Sequence, residues 1–147
     1  MAERTGKCLC GAVRFSARNV PDDYVVCHCQ SCRRWLGSAL FGVSIPKTDV
    51  VWEGAEAVAE IQSSTWAKRA WCTRCGTGLY FQFTAEGTYS DEVEIPLGLF
   101  DDPNGFRLKA EIYVDQQPDS FALQAEGHRR LTRADCIEKM PILGSES

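Results

Sequence analysis

Cys27-His28-Cys29-Gln30-Ser31-Cys32 places three thiols within one short stretch, and two more groups flank it: Cys8-Leu9-Cys10 and Cys72-Thr73-Arg74-Cys75. Of the 8 cysteines in the chain, only Cys136 stands apart from these groups. Cys75 is followed by Gly76 and Cys10 by Gly11, the form of a zinc knuckle: a tight turn points two sulfurs inward, and glycine accepts the positive φ that the turn requires. No group carries enough thiols to close a tetrahedral site alone, so distant groups must meet in space. Their clustered thiols divide as four plus three if two ions are bound; a four-sulfur site is closed and structural, whereas a three-ligand site leaves a place for water or substrate. Spacing alone also admits one structural zinc with the remaining thiols scattered.

Metal is favoured over disulfides by the rest of the chain. Met1 to Lys7 has no apolar stretch after its charges and is not a signal peptide. The longest mostly apolar run, Trp35 to Ile45, is interrupted by Gly37, Ser38, Gly42 and Ser44 and is too short to cross a bilayer. A cytoplasmic chain kept reduced cannot rely on disulfides, so dense cysteines bind metal or do chemistry. With 147 residues the chain is expected to form one domain spanning 1–147. Its 44% hydrophobic and 24% charged residues are those of an ordinary globular protein, which excludes disorder. A net charge of -4 offers no basic face to nucleic acid. Neither nucleic acid nor membrane is therefore an expected partner.

Short β-branched and aromatic segments read as strands: Ala12 to Phe15, Tyr24 to Val26, Ala39 to Ile45, Val50 to Trp52, Leu79 to Phe83, Val93 to Leu99 and Glu111 to Val114. Pro21-Asp22-Asp23, Pro46 to Asp49, Glu86-Gly87 and Asp101 to Gly105 separate them as turns. The pattern predicts a mostly β fold of antiparallel sheets with little helix. A turn or two of helix is expected over Gln30 to Leu36, and a short C-terminal helix over about 132–139, where Thr132 and Asp135 form a capping box. The tail Gly144-Ser145-Glu146-Ser147 reads as disordered.

Side chains near the cysteines have competing readings. His28 lies between two thiols, and an extended backbone sends it to the opposite side, which favours a supporting or surface role over ligation. His128, in His128-Arg129-Arg130, reads as solvated, and Cys136 as a small buried apolar residue. Arg33 and Arg34 either offset the charge of the central thiols or form a solvated helix face. Trp35, Phe41 and Trp71 shape a pocket or, more simply, belong to the core.

Taken together, Gly6-Lys7-Cys8-Leu9-Cys10-Gly11-Ala12-Val13, Cys27-His28-Cys29-Gln30-Ser31-Cys32-Arg33, Trp71-Cys72-Thr73-Arg74-Cys75-Gly76-Thr77 and Ile112-Tyr113-Val114 resemble the glutathione-dependent formaldehyde-activating enzymes, the domain family shared with centromere protein V. The blocks run in the family's order over residues 6 to about 121. The resemblance implies a β-tent fold with two zinc ions per chain, in a superfamily that also holds a methionine sulfoxide reductase domain. It implies that Cys8, Cys10, Cys72 and Cys75 hold a structural zinc, and that Cys27, Cys29 and Cys32 hold the second, open and catalytic one. It further implies a carbon-sulfur lyase run in reverse, joining a small thiol such as glutathione to formaldehyde or another small aldehyde. The chain departs from the family at Glu111, where a His is usual before the Ile-aromatic pair. The competing functions are a non-catalytic zinc-stabilised interaction module and a thiol redox protein cycling Cys72 and Cys75.

Overall fold

The computed structural model describes residues 2–145. Its strands are β1 (Ala2–Lys7), β2 (Arg14–Val20), β3 (Asp23–Cys27), β4 (Leu40–Pro46), β5 (Val50–Glu53), β6 (Val58–Gln62), β7 (Ala67–Cys72), β8 (Gly78–Phe83), β9 (Glu92–Pro96), β10 (Arg107–Ile112) and β11 (Arg129–Leu131). Two short helices accompany them, α1 (Gln30–Leu36) and α2 (Arg133–Lys139). The mostly β expectation holds. A small sheet runs β1-β2-β5 and a large one β11-β10-β3-β4-β9-β8-β7-β6. Every pairing is antiparallel except those of β10, which runs parallel to both β3 and β11. A purely antiparallel reading is corrected at that strand: β10 and β3 are far apart in sequence, and no hairpin turn dictates their direction.

The main core lies between the sheets. Phe15, Ala17 and Val20 of β2 and Val50 of β5 face Val43 and Ile45 of β4 and Val93 and Ile95 of β9. Alternation is clean in β9, and in β2 up to Ala17, because each presents one face to this core; in β2 it slips by one at Asn19, whose φ is 53, before Val20 turns inward again. The strands that sequence reading missed are β1, β6, β7 and β11. β1 (AERTGK), β6 (VAEIQ) and β11 (RRL) end their sheets and are largely exposed, so no apolar stripe marks them. β7 (AKRAWC) buries alanines and Arg69, a pattern that does not read as hydrophobic. The last strand of the Val93 to Leu99 run ends at Pro96 and continues as a 3-10 turn.

Both helices sit where the sequence places them. Thr132 Oγ1 accepts the Asp135 amide at 3.1 Å, and Asp135 Oδ2 accepts the Thr132 amide at 2.9 Å, completing the capping box. Cys136 packs with Trp66, Tyr113 and Leu143, as a small apolar residue does. Of the tail read as disordered, Gly144 ends a 3-10 turn that begins at Pro141, and Ser145 Oγ closes it by donating to the Ile142 carbonyl at 2.8 Å; Glu146 and Ser147 lie outside the described residues. The missed signal is Leu143, which anchors that turn in the core beneath α2.

Parallel pairing of β10 buries Glu111 completely, opposite Val26 and one position from the Ile112–Cys27 pair. An isolated buried carboxylate is untenable, and this one is surrounded by donors. His28 Nε2 donates to Oε1 at 2.7 Å, His128 Nε2 to Oε2 at 2.6 Å, and Arg130 Nη1 also bonds Oε2. Desolvation raises the Glu111 carboxyl, but the bonds from His28, His128 and Arg130 outweigh it and hold it below the usual carboxylate range. His128 is therefore not solvated, a correction to its sequence reading: its side chain is only 9% exposed because the parallel β11 lays it against Glu111. His28 plays the supporting role expected of it, from a fully inward position.

Two predictions test this frame. Gly54 has φ +85, and a Cβ there would stand 1.9 Å from the Ala12 carbonyl oxygen, just after the Cys8–Gly11 turn. Gly54→Ala is expected to cost at least about 2 kcal/mol, from the left-handed backbone and the clash together, visible as a lower urea midpoint. Glu111→Ala leaves His28 buried without its partner and should cost about 3 to 5 kcal/mol. Glu111→Gln keeps the shape and loses the charge, so its loss in the same titration should be about 1.5 to 3 kcal/mol.

Candidate metal centres and the cleft beside them

All eight cysteines are free thiols, and seven of them converge in two groups. The Sγ atoms of Cys8, Cys10, Cys72 and Cys75 lie within 4.8 Å of one another, as do those of Cys27, Cys29 and Cys32. This is the four-plus-three division that the spacing allowed. The scattered-thiol alternative does not hold for these seven.

The four-sulfur group is built by two similar turns on different sheets. In the β1–β2 loop, the Cys8 amide donates to the Val13 carbonyl at 3.0 Å, the Gly11 amide donates to the Cys8 carbonyl at 3.1 Å, and Gly11 takes φ 77. In the β7–β8 loop, the Cys72 amide donates to the Thr77 carbonyl at 2.9 Å, the Gly76 amide donates to the Cys72 carbonyl at 2.8 Å, and Gly76 takes φ 80. The two knuckle glycines thus have the conformation for which glycine was read. Thr77 stitches the turns together, its Oγ1 accepting the Leu9 amide at 3.1 Å and contacting Cys75 Sγ at 3.1 Å.

The sulfurs themselves are spaced for a common ion. Cys8 and Cys10 Sγ are 3.6 Å apart, and Cys10 and Cys72 Sγ 3.8 Å. A disulfide needs about 2.05 Å, whereas ligands on a tetrahedral zinc with bonds of about 2.3 Å stand roughly 3.8 Å from each other. Hydrogen bonds from the Thr77 hydroxyl and amide pull the Cys75 thiol down to about 5. The Ala12 amide lowers Cys10, but desolvation and hydrogen bonds to Cys8, Cys75 and Cys72 outweigh it and push that thiol up to about 11. Four thiols this close cannot all ionise without a cation, and with one they can.

The three-sulfur group forms where β3 ends and α1 begins. Cys29 is the N-cap of α1, its Sγ accepting the Cys32 amide at 3.3 Å. Hydrogen bonds from Cys27 and Cys32, with the Cys32 amide and the Arg69 charge adding to them, bring the Cys29 thiol down to about 3. Cys27 lowers Cys32, but the Cys29 hydrogen bond, burial and the Cys29 charge outweigh it and push Cys32 up to about 12. Arg69, only 4% exposed, sets Nη2 3.6 Å from Cys32 Sγ and lies over the Phe81 ring. Three thiolates with a divalent ion would sum to one negative charge, which this guanidinium is placed to offset. Its role was invisible in sequence, because a basic residue in β7 carries no mark of burial.

A cleft of about 250 Å³ opens on this second group, lined by Cys29, Gln30, Ser31, Trp66, Tyr113, Gln116, Arg133, Leu143, Gly144 and Ser145. Among the described residues no fourth metal-ligating side chain joins the three thiols. The cleft does not use the residues that sequence reading offered for it. Arg33 and Arg34 occupy the last turn of α1. Trp35 stacks edge-on against Trp71, and Phe41 stacks on Tyr24, both away from Cys29. Of the actual lining, Cys29, Gln30, Ser31 and Tyr113 stood in the quoted blocks; Trp66 and Arg133 arrive through a hairpin end and a helix start that proximity in sequence could not connect.

Comparison with known proteins agrees with this arrangement. The chain is 32% identical over 121 residues, 82% of its length and 85% of the relative's, to an uncharacterized lyase of Schizosaccharomyces pombe. A crystal structure of a Rhodobacter sphaeroides protein shares the fold, with a TM-score of 0.55 at 21% identity over 87% of this chain and 99% of that one. Residues 3–116, which contain all seven clustered cysteines, match the family described as glutathione-dependent formaldehyde-activating enzyme. The chain belongs to that family.

Proposed function

We propose that this protein is a zinc-dependent carbon-sulfur lyase or synthase acting on the adduct of glutathione, or a related thiol, with formaldehyde or another small aldehyde. The observation that carries the proposal is the contrast between the two thiol groups: one has four sulfurs and is complete, the other has three and faces a cleft through Cys29. Membership of a glutathione-dependent family and a relative named as a lyase support it.

In the synthetic direction the thiol S–H adds across the aldehyde C=O. A sulfur–carbon bond forms, the thiol proton ends on the former carbonyl oxygen, and nothing is oxidised or reduced. Cys27, Cys29 and Cys32 would hold the zinc, which would supply Lewis acidity to lower the pKa of an incoming thiol. The chain's own residues prepare the place. The Cys32 amide fixes the Cys29 sulfur, Arg69 offsets the charge that an anionic thiol adds, and His28 with Glu111 pins the backbone between Cys27 and Cys29. Three-sulfur ligation already donates heavily to the ion, which favours thiol activation over carbonyl polarisation.

Protein prepared without chelator and supplied with zinc is expected to carry two zinc ions per chain by elemental analysis; one or none would overturn the two-site reading. A structural zinc contributes roughly 10 to 16 kcal/mol of apparent binding free energy, comparable with the roughly 5 to 15 kcal/mol stability of a domain. Cys75→Ser should therefore give insoluble or molten protein. Cys29→Ser keeps an N-cap oxygen for α1 and should melt cooperatively with one zinc per chain. In exchange NMR the wild type should speed hydroxymethyl-adduct formation from glutathione and formaldehyde above the spontaneous rate, and Cys29→Ser should not. Two zinc ions without any acceleration would leave a zinc-stabilised interaction module as the better account.

A further inference from the structure

The cleft carries chemistry that thiol activation does not use. Arg133, at the start of α2, lines it together with Cys29. Its main-chain N–H is satisfied by Asp115 Oδ1 at 2.7 Å, but its guanidinium reaches only the Leu143 carbonyl, at 3.5 Å, and pairs with no carboxylate among the described residues. Trp66 lines the same cleft, is only 8% exposed, and its indole N–H has no partner there. A buried donor left unpaired costs stability, and an unpaired guanidinium beside it forms a fork that fits a carboxylate. Gln116 completes the wall, its Oε1 already engaged by the Gln30 amide at 2.8 Å.

We propose that Arg133 and the Trp66 indole N–H form a carboxylate-binding subsite that selects thiols carrying an acidic group away from the sulfur, with the sulfur end directed to Cys29. The inference rests on the function proposed above and names the part of the substrate that the thiols themselves do not read. Arg133 lies beyond residues 3–116, the span matched by the family, and Trp66 within it, so the subsite joins the chain's C-terminal segment to the matched span. The cleft volume of about 250 Å³ is below the roughly 300 to 1,000 Å³ of enclosed ligand pockets. It suits one end of a small molecule rather than the whole.

The test uses zinc-loaded full-length protein and S-methylglutathione, which keeps the carboxylates but has no thiol to engage metal. Indole N–H signals are followed by nitrogen-proton NMR, with Trp66→Phe assigning the relevant one. A saturable shift of the Trp66 signal is expected, weakened at least tenfold by Arg133→Gln and partly restored by Arg133→Lys, which keeps the charge but not the fork. The diester of S-methylglutathione should bind at least tenfold more weakly than the acid. Equal binding by Arg133→Gln, equal binding of the diester, or no Trp66 shift at millimolar ligand would each overturn the subsite. A parallel titration with uncharged 2-mercaptoethanol, read on cobalt-substituted protein, keeps the two proposals apart. Retained mercaptoethanol binding with Arg133-independent S-methylglutathione binding refutes the subsite and spares thiol activation; the reverse pattern refutes thiol activation and supports the subsite.

Discussion

Four sulfurs drawn within 4.8 Å of each other are the constraint on which the architecture turns. Cys8 and Cys10 leave the small sheet between β1 and β2, Cys72 and Cys75 leave the large sheet between β7 and β8, and the contact between Cys10 and Cys72 spans 62 positions of chain. Below this junction the inter-sheet core needs only ordinary apolar packing. Val13, Ala70, Leu79 and the buried Cys8 and Cys72 form a second cluster directly around the sulfurs, so the junction is continuous with the hydrophobic interior. Packing of acidic thiols at such distances is favourable only with a compensating charge, so a cation held there would couple its binding to closure of the two sheets.

The second group of thiols depends on a different kind of support. Its backbone is held from behind by a buried carboxylate with three donors, and its charge is balanced from the side by Arg69. Both supports are charged groups taken out of water, which a small β domain tolerates only where partners are complete. Tyr113, one of two non-glycine residues with positive φ among the described residues, turns the chain between Glu111 and the cleft. The same short segment therefore anchors the thiol loop and shapes the space in front of it.

How much of this was legible depended on whether the signal was local. The three cysteine groups, the knuckle glycines Gly11 and Gly76 and the capping box at Thr132 are written in adjacent residues, and each appears where it was read. Strands β3, β4, β5, β8 and β9 were legible for the same reason, whereas the readings Ala12 to Phe15 and Glu111 to Val114 catch only two residues each of β2 and β10. β1, β6 and β11 were not, since edge strands are held by hydrogen bonds that leave no compositional trace. His128, Arg69 and Arg133 were misread or passed over because a charged side chain looks the same in sequence whether it faces solvent or a buried counter-charge. Glu111 alone left a clue, as a residue standing where the resemblance implied a His, and it proves to be the centre of a buried network.

The seven clustered cysteines all precede residue 116, while His128, Arg130 and Arg133 follow it. Of the proposed subsite, Arg133 is written after the thiols and Trp66 among them, while His128 and Arg130 belong to the network behind the thiol loop. A change at Arg133 alone would retune which molecule is admitted and leave the Glu111 network in place, a route by which one scaffold acquires new substrates by small steps.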